Sequence, residues 1–287
     1  GNDVPTNASA GIYENASAQT PVMTFEQPTV NVPIEDVTVT ATDKNVYLKG
    51  EVTADQLKTG ATVKIGDVSL NLSKADQNYG LESWQTEHVN ITVAVKDKDG
   101  NVISDKLENL TEDTTYTVEV TVAPKTMGNS ADGTPATEKS SSGGGKINVF
   151  KPELTFQDST AYYGESVPAN NNYSGNKVGS ETWKHGDTVS TDVTMLGTKP
   201  KLDITYTPDE SKLESGKYTK QDVPVAATVK IGTESVNEHT TFVHQACTGQ
   251  TCTLPEGKEF LLHVKTCTLN ITKQGGAANE PYVFTVK

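Results

Sequence analysis

Apolar and polar residues alternate along most of this chain. The segments "VTVTATDKNVYLKGEV" (37–52), "ATVKIGDVSLNLS" (61–73), "VNITVAVKDKDGNVIS" (89–104) and "TTYTVEVTVAP" (114–124) each run at period two between turn residues. That is the pattern of strands that bury one face and wet the other. In the third segment Asp99-Gly100 separates two alternating runs and predicts a hairpin. Only "TADQLK" (53–58) suggests a helical turn. The amphipathic stretches that a doubly wound α/β fold requires are missing, so the expected class is all-β.

The stretch "TMGNSADGTPATEKSSSGGGK" (126–146) is flexible in composition, and two readings compete for it. One is an interdomain linker. The other is a long hairpin loop, from which "KINVFK" (146–151) returns as the last strand of a first domain. An internal repeat favours the loop. "TDKNVYLKGEV" (42–52) matches "QDSTAYYGESV" (157–167), and Glu82-Ser83-Trp84 matches Glu181-Thr182-Trp183. Tyr-Thr strands at 114–122 and 216–229 correspond, as do the closing strands "INVFK" (147–151) and "FLLHVK" (260–265).

The repeat divides the chain into a mobile leader over 1–30, a β-sandwich over 31–151, a second over 152–266 and a further strand segment over 267–287. Units of roughly 100–120 residues with many short strands and one central Trp describe immunoglobulin-like sandwiches. Trp84 and Trp183, the two tryptophans of the chain, are expected in the cores. A sugar-stacking platform is the competing role, but neither Trp has an aromatic cluster around it in sequence.

Composition narrows the function. The formal net charge is −13, and all 24 basic residues are Lys. Phosphate recognition leans on the guanidinium fork and non-specific nucleic-acid binding on a positive surface, so nucleic acid is not an expected partner. Direct membrane contact is not expected either, since no apolar run reaches the length of a span. Hydrophobic residues make up only 34% of the chain, but Thr and Val are plentiful and suit half-buried strands.

Candidate chemistry gathers near the end of the chain. Cys247 and Cys252 flank a short loop, "CTGQTC", that a disulfide would pin, leaving Cys267 over. His244, Cys247, Cys252, His263 and Cys267 are residue types that zinc uses. Their spacing argues against a site, because His263 and Cys267 on an extended strand would lie about 13 Å apart. "DKDGN" (97–101) lacks the full ligand series of a calcium loop and reads as a turn. No catalytic triad order, zinc-protease motif or phosphate-binding loop is present, so neither enzyme activity, a bound metal nor a cofactor is expected.

The final segment, "CTLNITKQGGAANEPYVFTVK" (267–287), joins an alternating strand ending in Ile271-Thr272-Lys273 to a Gly-rich turn and Pro281-Tyr282-Val283-Phe284-Thr285-Val286. It resembles the opening hairpin of the collagen-adhesin B-type or SpaA-like pilin modules found in sortase-anchored surface proteins of Gram-positive gut Firmicutes. The resemblance implies an extracellular protein of the cell wall. It also implies that Lys273 holds the position of a lysine that, in that family, forms an intramolecular isopeptide bond with an Asn. The remainder of such a module is missing here, so Lys273 is expected to be unreacted and its segment either disordered or docked on the second sandwich. Lys49 and Lys151, set among apolar neighbours, are further isopeptide candidates within the two sandwiches, against the plainer reading of surface lysines whose stems lie on apolar neighbours.

The expected function is a non-catalytic stalk or spacer of a surface adhesin or pilus-like protein, monomeric as it stands. The alternative is an adhesin module that binds a host protein or glycan, for which an exposed aromatic pair or an open sheet edge would speak.

Overall fold

The computed structural model describes residues 34–82, 89–125, 137–157, 159–168, 178–244 and 259–266. The chain runs β1 (Val37–Thr40), β2 (Lys44–Tyr47), β3 (Gly50–Thr53), helix α1 (Ala54–Thr59), β4 (Thr62–Ile65), β5 (Val68–Leu70), a 3₁₀ stretch over Leu72–Gly80, β6 (Val89–Asp97), β7 (Lys106–Leu110) and β8 (Thr114–Pro124). A long strand, β9 (Lys139–Phe156), leads into β10 (Ser159–Tyr162), β11 (Val178–His185), β12 (Thr188–Val189), β13 (Leu202–Pro208), β14 (Leu213–Glu214), β15 (Lys217–Tyr218), β16 (Val223–Ile231), β17 (Glu234–Ser235), β18 (Thr241–His244) and β19 (Glu259–Lys265). The protein is all-β, as the alternation implies. Its single described α-helix is the turn expected at 53–58. Thr53 caps it in a reciprocal box with Gln56, which satisfies two amides that the helix start leaves open.

One set of pairings occurs twice. β2 lies parallel to β9, from Lys44↔Ile147 to Tyr47↔Phe150, and β10 lies parallel to β19, from Ser159↔Leu262 to Tyr162↔Lys265. β8 is the antiparallel neighbour of β9, as β16 is of β19. β6 flanks β8, and β13 flanks β16. The bends after β2 and β10 also agree. The Leu48 amide donates to the Phe150 carbonyl at 2.8 Å and the Lys49 amide to Leu110 at 2.7 Å; the Tyr163 amide donates to Lys265 at 3.0 Å and the Gly164 amide to Tyr218 at 2.9 Å. Lys49 (φ 63°) and Gly164 (φ 79°) share the left-handed region at corresponding positions. Asp113 and Asp222 correspond too: each accepts a closing-strand amide, from Val149 at 2.8 Å and from Val264 at 2.9 Å.

The match between 42–52 and 157–167 is therefore a match of structure. The match between the two tryptophans is not. Hairpins β4–β5 and β11–β12 turn on the same Gly-Asp pair and align Ile65↔Val68 with His185↔Thr188, which sets Trp183 opposite Val63 in the repeat. Trp84 itself lies outside the described residues.

The boundary expected at Lys151-Pro152 falls within an unbroken strand of 18 residues, about 60 Å long at strand rise. The first part of β9 pairs with β8 and β2; its last part pairs with β11, where Pro152 faces Trp183, and with β18. Pro152 is buried, and no linker separates the repeats. The hairpin reading of 126–146 holds, because β8 and β9 are neighbours from Thr114↔Ile147 to Val122↔Lys139. Part of that stretch is not loop, since "KSSSGGGK" (139–146) is strand. A Cβ on Gly143 would stand 2.5 Å from the Val39 carbonyl oxygen, and one on Gly145 would stand 2.6 Å from the Tyr116 ring. Glycine here admits close neighbours to a strand rather than loosening it.

A continuous apolar cluster runs through the described residues, from Val46, Leu57, Val118 and Ile147 in the first repeat to Leu154, Phe156, Trp183, Val225 and Phe260 in the second. The leader at 1–30, residues 126–136, Cys247, Cys252 and the segment 267–287 with Lys273 lie outside the described residues.

Candidate functional site: the junction between the repeats

Polar contacts concentrate where β9 passes from one repeat into the next. The turn between β7 and β8 carries Glu112 and Asp113. One Asp113 oxygen accepts the Val149 amide, and the other meets His185 Nε2 at 2.7 Å, joining the first repeat to the end of β11. The His185 ring lies 5.6 Å from that of Phe150. Glu112 takes the Lys151 ammonium at 2.6 Å and His239 Nδ1 at 3.2 Å. Across the same junction Lys49 Nζ sits 2.6 Å from Glu234. Asn45 contributes both its side-chain amide, to the Thr194 carbonyl at 3.2 Å, and its own carbonyl, to the Leu196 amide at 2.7 Å.

The apolar part of the junction is Tyr47 against Trp183, with ring centroids 5.2 Å apart and planes at 84°. Trp183 is 1% exposed, and its indole N–H donates to Glu181 at 2.7 Å. Lys199 binds Glu181 at 2.8 Å and lies 6.0 Å from the centre of the indole. Edge-to-face geometry brings the positive rim of one ring to the negative face of the other, worth about 0.5–1.5 kcal/mol beyond the area covered.

An open cleft of about 370 Å³ lies beside these contacts, lined by Glu112, Asp113, Val149, Lys151, Lys184, His185 and Gly186. Its charged groups are matched. Lys184 binds Glu153 at 2.8 Å, and the others pair as above. Partial burial alone would raise the Asp113 carboxyl, but the Val149 amide, His185 and Lys151 outweigh it and hold it below the usual carboxylate range. The Lys151 ammonium does the same for Glu112, with His239 adding to it. The Lys49 hydrogen bond lowers Glu234. The three carboxylates are thus held in their ionised form by fixed partners. Among the described residues no group of three or more His, Cys, Asp or Glu is placed to hold a metal ion.

Of the residues singled out in the sequence, Trp183, Lys49 and Lys151 lie at this junction: Trp183 is buried and also packs on Tyr47 of the other repeat. The two lysines are partly exposed, and each holds a glutamate rather than the carboxamide an isopeptide would need. His263, drawn from the His/Cys cluster, instead meets Asp222 at 3.0 Å. "DKDGN" is a turn: Asp97 accepts the amides of Asp99 and Asn101, both at 2.9 Å, before Val102 returns opposite Lys96. Sequence reasoning missed Glu112, Asp113, His185, His239 and Glu234. The repeat held a usable signal for Asp113, because Asp222 precedes the matching strand in the same way.

No protein-family model matches the chain, and no curated protein is significantly similar to it.

Proposed function

We propose that the two repeats are non-catalytic, immunoglobulin-like spacer modules of a bacterial cell-surface adhesin or pilus-like protein. One observation carries this reading. β9 serves as the closing strand of one repeat and the opening strand of the next, with Tyr47–Trp183 and three cross-repeat polar contacts, Lys49–Glu234, Asp113–His185 and Glu112–His239, beside it. A shared strand removes the loose linker about which two modules would otherwise swing. Exposed polar contacts add little energy singly, but several at one joint, together with the ring contact, oppose its bending. A stiff joint suits a part whose work is to hold distance.

The alternative, a module that binds host protein or glycan, draws support from β13. It ends its sheet, and Asp203, Thr205 and Thr207 are exposed along it, where an added strand could pair. Immobilised host matrix proteins and a glycan panel decide between the two. A spacer shows no saturable binding from the purified chain. Saturable binding lost on substitutions in β13 would establish the alternative.

A further inference from the structure

Among the described residues the repeat correspondence leaves one docking face without an occupant. In the first repeat, Tyr47 closes β2 opposite Phe150, where the closing strand leaves, and its ring packs on Trp183 of the second repeat. Its counterpart Tyr162 closes β10 opposite Lys265, where β19 leaves in its turn. Tyr162 is 49% exposed and Tyr163 beside it 56%, while Leu48, the counterpart of Tyr163, is fully buried. The turn that presents the two rings is well fixed. The Tyr163 amide donates to Lys265, the Gly164 amide to Tyr218, and the Tyr162 amide to Glu165 at 3.1 Å. Lys220 stands 5.6 Å from the Tyr163 ring. Two adjacent aromatic rings held outward by a built turn stand out among the described residues, which otherwise expose few large apolar side chains.

We infer that the Tyr162–Tyr163 turn is a second junction face, and that its occupant is the segment of this same chain after Thr266, residues 267–287. Three relationships support that occupant. The chain leaves β19 at the residue paired with Tyr162, so the segment starts within reach of the rings. The corresponding strand in the first repeat continues straight past Tyr47 and brings its own hairpin, β11–β12, onto that ring. The segment also carries the apolar side chains such a contact uses, Leu269, Ile271, Tyr282, Val283, Phe284 and Val286. The inference stands on the equivalence of the repeats and not on the spacer reading.

Hydrogen exchange on the full chain tests it, with a synthetic peptide of residues 267–287 as reference. The backbone amides of 267–273 exchange at least about tenfold more slowly in the protein than in the peptide, the protection a docked segment acquires. The double variant Tyr162→Ala/Tyr163→Ala removes that protection and leaves the β16 amides unchanged, whereas Tyr162→Phe retains it. Equal exchange in protein and peptide overturns the inference without any variant. So does protection indifferent to the double substitution, or protection that appears only as protein concentration rises, which would assign the face to a second copy.

Discussion

The ring of Tyr47 meets that of Trp183 edge-on across the junction, centroids 5.2 Å apart and planes at 84°. One partner closes a short strand of the first repeat, and the other sits on the hairpin that opens the second. A residue buried for its own repeat thus also fixes its neighbour.

Trp183→Ala should lower the stability of the second repeat by about 3–5 kcal/mol, the cost of emptying a large aromatic site. Tyr47→Ala should cost less and act on how the repeats are joined, by about 0.5–1.5 kcal/mol beyond the area lost. Urea titration of both variants checks this. An unchanged transition for Trp183→Ala would contradict its place in the core.

Acid should weaken the junction. The folded carboxyls of Asp113 and Glu112 lie below their usual values, so the stability they contribute is present above the unfolded pKa. It is lost as pH falls through the folded one, a loss that begins below about pH 4–5. Asp113→Asn should therefore lower the unfolding midpoint at neutral pH and flatten the acid limb. A wild-type slope retained in the variant would remove Asp113 from the account.

The three glycines of β9 should differ sharply. A Cβ at Gly143 or Gly145 meets its nearest neighbour at 2.5 or 2.6 Å, while at Gly144 the nearest atom is 3.8 Å away. Gly143→Ala should cost about 1–3 kcal/mol as overpacking. Gly144→Ala should fall within about 0.5 kcal/mol of the wild type, as surface changes do. Equal tolerance at all three positions would mean that 139–146 is not held as a strand.

The intact mass should show no loss of ammonia at Lys49 or Lys151, whose ammonium groups hold Glu234 and Glu112. A deficit of one ammonia that survives reduction and maps to either lysine would overturn those pairs.

Much of the fold was legible, because alternation and turn residues act locally. The strands of 37–52, 61–73, 89–104 and 114–124, the Asp99-Gly100 turn and the Thr53-capped helix all derive from neighbours in sequence. "KSSSGGGK" was harder to read, since the reason for its glycines lies in Val39 and Tyr116, distant in the chain. The tryptophan match failed for a similar cause. Glu-x-Trp is a short string, and only the hairpin register reveals that Val63 is the counterpart of Trp183. The junction was least visible of all. Asp113–His185 and Lys49–Glu234 join residues far apart in sequence, and no local pattern marks an acid for a distant partner.

The stiffness of the junction is tested most directly by residual dipolar couplings from the partially aligned chain. Amides of β8 in the first repeat and of β16 in the second should fit a single alignment tensor, as one rigid body requires. Two tensors of different magnitude would show the repeats moving independently, and would contradict the shared strand and its contacts as a rigid joint.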